Sequence, residues 1–219
     1  MSLDWIILQV LITAYSIVAP NPLYKMAVLM PQDDSIYINA SAVIDLNEDG
    51  MPEVCLAASS GWEYYVYYYL DGDVCSVEGL IPWAWSSNLC YTTDKRLVMC
   101  VYAHTTGTAG ISQYRVYEWT SAGYQMAEDL WSKPNEWDRY GNPVSLEYIS
   151  SKEAIDPFEM EDYSDLLITQ QEFDQKIADF GELTSIFYDG ESLYSDAWEQ
   201  DVDTDEIYRE IQKQIWSWK

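Results

Sequence analysis

Lysine and arginine are scarce in this chain, 11 of 219 residues against 37 aspartates and glutamates, for a formal charge of −26 at pH 7. That shortage excludes a general nucleic-acid binder, because phosphate contacts need basic side chains. It also disfavours anionic membrane surfaces. Histidine is scarcer still: His104 is the single one, and no Cys-x-x-Cys pair exists, which excludes an ordinary zinc site. Any Ser-His-Asp triad would have to use His104, yet no Gly-x-Ser-x-Gly elbow is present. The residue reads instead as a strand-end histidine. The small-residue loop that follows, Gly107 to Gly110, lacks the lysine of a phosphate-binding loop. Long apolar runs are missing too. Trp5 to Ala19 spans 15 residues, short of the ~20 needed to cross a bilayer. It has no positive n-region, and Pro20 spoils a cleavage site. It reads as a buried helix begun by Asp4 and ended by Pro20 and Pro22, an anchor remnant being the alternative. Met1-Ser2-Leu3 reads as an expression scar, with a signal or lipoprotein segment removed upstream.

What is present points to a filled core. Apolar content of 48% and aromatic content of 15% argue against disorder, and a chain of this size buries about 70% of its unfolded surface. One domain is expected. Acidity is concentrated at the end: residues 145–219 hold 20 acidic and 5 basic residues, a net of −15. A well-solvated surface explains it. Cys55, Cys75, Cys90 and Cys100 fall within 46 residues; two disulfides or four buried thiols both fit. Cys90 and Cys100 flank a turn and are placed to face each other across a hairpin.

One stretch specifies a chemistry. In Asp45-Leu46-Asn47-Glu48-Asp49-Gly50-Met51-Pro52-Glu53, three oxygen-bearing side chains alternate, Gly50 supplies the bend, and Met51 offers its carbonyl. Glu53 closes the set. Such a cage suits a hard cation, and calcium above all, which takes six to eight oxygens at ~2.3–2.6 Å. The ligand set is Asp45, Asn47, Asp49, Met51 through its backbone, and Glu53. An EF-hand would need a glutamate at loop position 12, where this chain has Leu56. The flanks, Ser41 to Ile44 and Val54 to Ala58, are apolar and partly β-branched, so strands rather than helices are expected. An ordinary polar turn is the competing reading, since these residues suit turns without metal.

The loop resembles the Asp-x-Asn-x-Asp-Gly-x-x-Asp/Glu turns of FG-GAP-type repeats. It is closer to a broad group of uncharacterised bacterial secreted proteins and lipoproteins, which carry one such loop, a Tyr-rich strand and a short Asp-Gly hairpin. The matching residues are Ile44 to Val54 and Tyr64 to Val74, and the likeness covers roughly residues 40–130 at motif level. It implies a small α+β domain with a meandering antiparallel sheet and implies no activity. The loop occurs once, so a propeller is not expected.

Along the chain, the expected fold is α+β: an antiparallel meander sheet with an N-terminal helix and C-terminal helices packed on it. The division is 1–34 helical, 35–130 sheet with the cation loop, 131–168 irregular, and 169–219 helical. Tyr64 to Leu70, Asp71-Gly72 and Asp73 to Val77 form a hairpin, because Asp-Gly tolerates positive φ. Leu89 to Thr92, Arg96 to His104 and Gln113 to Trp119 are further strands; Tyr124 to Met126 returns from the last. Thr169-Gln170-Gln171-Glu172 is a capping box, with Phe173, Ile177 and Phe180 on one helix face. Ile207, Ile211, Ile215 and Trp218 form a core-facing stripe on the last helix. Asp201, Asp203 and Asp205 alternate like a second cation loop, but a helix start explains them.

Two functions of different class follow. The first is a secreted or surface-attached, calcium-stabilised binding or accessory domain without catalysis. The second is a carbohydrate hydrolase using a carboxylate pair in an aromatic cleft. Trp62, Trp83, Trp85 and Trp119 are the candidate platform for a glycan or protein partner; aromatics at period two serve a sheet core equally well.

Overall fold

The apolar stripes sort into two antiparallel sheets and two helices in the computed structural model, which describes residues 38–58, 63–77, 86–103, 110–140, 142–187 and 204–218, with Leu80 and Pro82. The first sheet has four strands in sequential order: β1 (Ile38–Ile44), β2 (Glu53–Ala58), β3 (Glu63–Leu70) and β4 (Asp73–Ser76). The second has seven: β5 (Ser86–Thr92), β6 (Leu97–Ala103), β7 (Ile111–Thr120), β8 (Gly123–Trp137), β9 (Pro143–Ser151), β10 (Leu167–Ile168) and β11 (Leu183–Ser185). Strands β5 to β10 are neighbours in sequence order, while β11 returns to pair with β5 at the far edge. Helix α1 spans Gln170–Ala178 and helix α2 spans Thr204–Trp216.

Side-chain alternation stacks these elements in layers. On β2 and β3, Cys55, Ala57, Tyr64, Val66 and Tyr68 face the second sheet, meeting Leu89, Leu97, Met99, Val101, Tyr117 and Tyr124. Their alternates Val54, Leu56 and Tyr67 face Tyr208, Ile211 and Ile215 of α2. The outer face of the second sheet, with Cys90, Val98, Cys100, Val116 and Leu130, is covered by Phe173 and Phe180. The order of layers is therefore α2, first sheet, second sheet, α1. Both faces of β2 are covered, so all six of its residues are buried, as a continuous apolar strand requires. Ile211 and Ile215 are fully buried, contributing about 1.5–3 kcal/mol each.

Local chemistry sets the connections. Asp71 and Gly72 take φ of 51° and 103°, the two positive values of a type I′ hairpin. At α1, the Thr169 hydroxyl accepts from the Glu172 amide at 3.2 Å and the Glu172 carboxylate accepts from the Thr169 amide at 2.8 Å. The capping box is formed as its spacing predicts.

Two expectations need correction, and the open question of the cysteines has an answer. The sheet is not one meander but two, linked between β4 and β5, with β11 added out of order. Residues 131–168 are not irregular throughout: they hold the end of β8, all of β9, a 3-10 turn at Ser164–Leu166 and β10. Pro134 is absorbed where the β8–β9 register shifts, and Pro143 opens β9, both places a sheet tolerates proline. Cys90 and Cys100 share a face but lie diagonally, since Cys90 is opposite Val98 and Cys100 opposite Asn88. Their thiols hydrogen-bond and stay unlinked; all four cysteines are free. The expected N-terminal helix lies outside the described residues.

Candidate cation site

The loop begins where β1 ends at Ile44, and closes where β2 starts at Glu53, its partner in register. Leu46 is drawn into the core between the sheets, only 1% exposed, which turns the chain over on itself. Glu48 and Gly50 then adopt positive φ, 60° and 86°. A Cβ at Gly50 would meet nothing, so backbone angle and not crowding calls for glycine there.

The loop's oxygens wire its own backbone. Asp45 Oδ2 accepts from the Gly50 amide at 3.1 Å, Asn47 Oδ1 from the Asp49 amide at 3.0 Å, and Asp49 Oδ1 from the Met51 amide at 2.8 Å. Asn47 Nδ2 donates to Asp49 Oδ2 at 3.1 Å. Glu53 is the buried member, 2% exposed, and its Oε2 accepts from the Leu46 amide at 2.7 Å. A carboxylate can accept about four hydrogen bonds, so capacity remains after these contacts. Asp45 Oδ1 shows it most plainly: it is buried and has no hydrogen-bond partner.

The electrostatics are one-signed. Burial, and then the charges of Asp49 and Asp45, push the Glu53 carboxyl up to about 8. Among the described residues none of these three carboxylates has a Lys or Arg partner. Lys95, in the β5–β6 turn, pairs at 3.3 Å with Glu48 on the loop's exposed rim. Behind the loop, Trp218 at the end of α2 donates its indole N–H to the Gly50 carbonyl at 3.2 Å. The loop thus touches α2 and both sheets.

Among the described residues, no three His, Cys, Asp or Glu side chains already form a metal-holding group. A cation here would draw on mixed donors: carboxylates from Asp45, Asp49 and Glu53, the Asn47 amide and the Met51 carbonyl. All are oxygens, as a hard cation requires, and the orphaned Asp45 Oδ1 fits the same chemistry.

The remaining candidates disperse. Trp119 is half-buried, edge-on to Tyr68 at 5.3 Å and to Tyr124 at 5.0 Å. Trp62, Trp83, Trp85 and His104 lie outside the described residues, as do Asp201 and Asp203; Asp205 falls in the first turn of α2. A shallow groove over α1 is lined by Gln170, Gln171, Asp174, Gln175 and Ala178, with one carboxylate and no aromatic ring. Among the described residues the exposed aromatic rings lie elsewhere: Trp137 and Tyr140 at the end of the β8–β9 hairpin, Phe158 after β9, and Trp216 at the end of α2.

A buried polar cluster escaped the sequence reading. Asp129 is 0% exposed and accepts from Gln113 Nε2 at 2.8 Å, Arg115 Nη2 at 2.8 Å and the Ile155 amide at 3.1 Å. One cue was available: Arg115 shares strand parity with Gln113 and Tyr117, the inward set of β7. Compared with known proteins, the chain matches no family model, no curated protein and no solved structure.

Proposed function

We propose that this chain is a calcium-stabilised binding or accessory domain of the cell exterior, with the 45–53 loop as its cation site and a structural role for the ion. The observation that carries the reading is the buried, partnerless Asp45 Oδ1 beside a buried Glu53 that has no basic partner among the described residues. Buried anions are ordinarily paired or bound to metal. The likeness of the loop to FG-GAP-type turns supports calcium over other cations, and extracellular calcium modules work with dissociation constants of ~0.1–1 mM, which fits export. In this role calcium stabilises by binding only the folded state. It would be held by Asp45, Asn47, Asp49, the Met51 carbonyl and Glu53, neutralising carboxylates that have no Lys or Arg partner among the described residues. Calorimetric titration of chelator-stripped protein with calcium chloride tests it: one saturable site is expected, lost in Asp49→Ala. A flat titration for the unaltered protein would remove the proposal.

A further inference from the structure

The loop belongs to the first sheet, but its inner side faces the second. Glu53 has the strand parity of Cys55 and Ala57, which point at the second sheet. In register it lies between Ile44 on β1 and the β3 position after Tyr67, namely Tyr68. Tyr68 in turn packs edge-on against Tyr124 of β8, with ring centres 5.5 Å apart. Tyr124 is therefore a residue of the opposite sheet that packs on the β3 neighbour of the loop's closing Glu53. It is 5% exposed, and its hydroxyl is buried with no hydrogen-bond partner.

A buried tyrosine hydroxyl normally finds a partner, because leaving a buried donor unmade is costly. Here two such orphans, Tyr124 Oη and Asp45 Oδ1, come from different sheets and border one acidic site. One is a donor and the other an acceptor. The turn that aims Tyr124 is itself tightly held: Gly123 has φ of 88°, and a Cβ there would come within 2.5 Å of the Tyr68 hydroxyl oxygen.

We infer that Tyr124 is part of the cation site, its hydroxyl hydrogen-bonding from the second sheet to a water ligand of the bound calcium beside Asp45. This rests on the calcium reading above and gives the ion a second task. Calcium completes its oxygen sphere with water in many sites, and a water so placed joins the loop to β8. The ion then ties the two sheets together.

The test compares the unaltered protein with Tyr124→Phe, which removes one oxygen atom from a packed ring. Both are stripped with chelator, titrated calorimetrically with calcium chloride, and melted with and without calcium. Loss of an outer partner of a metal ligand weakens binding by about 10–100-fold, and a fall in that range is expected. The metal-free melting temperature should be kept or raised, since the variant loses an unmade donor. Equal calcium affinity in the two proteins would overturn the role of Tyr124 while leaving the cation site standing. Absence of binding by the unaltered protein would overturn both. A variant that melts lower without calcium by as much as with it marks a packing role only, and that also overturns the inference.

Discussion

Replacing Asp129 by alanine should be among the most damaging single changes in this protein. Asp129 is completely buried between β7, β9 and the segment after β9, and Arg115 is 11% exposed at its side chain. The pair is tied by Arg115 Nε at 3.2 Å and Nη2 at 2.8 Å, while Gln113 and the Ile155 amide take the remaining acceptor sites. Removing the carboxylate leaves a guanidinium in a dry site and strands two further donors. Breaking a buried pair from one side costs about 3–5 kcal/mol. At roughly 2–4 °C per kcal/mol for a chain of this length, the melting temperature should fall by about 6–20 °C. The assay is urea unfolding followed by tryptophan fluorescence, with thermal melts beside it. The control is the double variant Arg115→Met with Asp129→Leu, which removes both charges. It should recover part of the loss, because apolar replacement of a whole buried pair is often neutral, while Gln113 and the Ile155 amide still lack their acceptor. A cost below about 1 kcal/mol for Asp129→Ala would show the pair to be solvated, as exposed pairs are, and would refute the argument.

Three other outcomes can be measured on the same preparations. Calcium at 100 times its dissociation constant should add about 2.7 kcal/mol, a rise of about 5–11 °C that Asp49→Ala abolishes; superimposable melts in calcium and chelator would contradict it. Thr169→Ala removes the cap of α1 and should cost about 1 kcal/mol, read from the denaturation midpoint, with no change in calcium affinity. Gly123→Ala forces a side chain into φ of 88° and against Tyr68, so a loss of about 1–3 kcal/mol is expected; an unchanged melt would mean that the turn can move aside.

Where pattern and local chemistry act over a few residues, the fold was legible. The strands flanking the loop, the Asp71-Gly72 turn, the capping box at Thr169 and the Ile211–Ile215 stripe all depend on neighbours in sequence. The division into two sheets depends on partners far away. Tyr64 to Tyr69 is aromatic on both faces, which announces that both are covered without naming the covers. Nothing local tells β11, three residues long, to join β5 rather than β10's edge. The end of β8 hid behind Pro134 and a run of charge, and the decisive feature, an inward Asp129, is one acid among 37.

The cation loop divides along the same line. Its proposed ligands recur at short spacing because one turn would have to supply them, so residue type and spacing are what point to them. Tyr124 lies 71 positions beyond Glu53 in number, and only the stacking of one sheet on the other brings it opposite. The structure also changes what the motif has to explain. On an exposed turn, three carboxylates would be solvated and need no counter-charge. Glu53, however, sits on the inward face of β2 and is all but closed to water, with Asp45 and Asp49 adding charge of the same sign. Among the described residues none pairs an ammonium or guanidinium with it, and in so acidic a chain few exist. Such a carboxyl can be made neutral by a proton or compensated by a cation. A proton on Glu53 adds one O–H donor, which can serve a single neighbouring acceptor such as Asp45 Oδ1. The proposed divalent cation would engage Asp45 Oδ1 and Glu53 together and would give the Tyr124 hydroxyl a ligand water to meet, so it would account for both unpaired buried atoms at once.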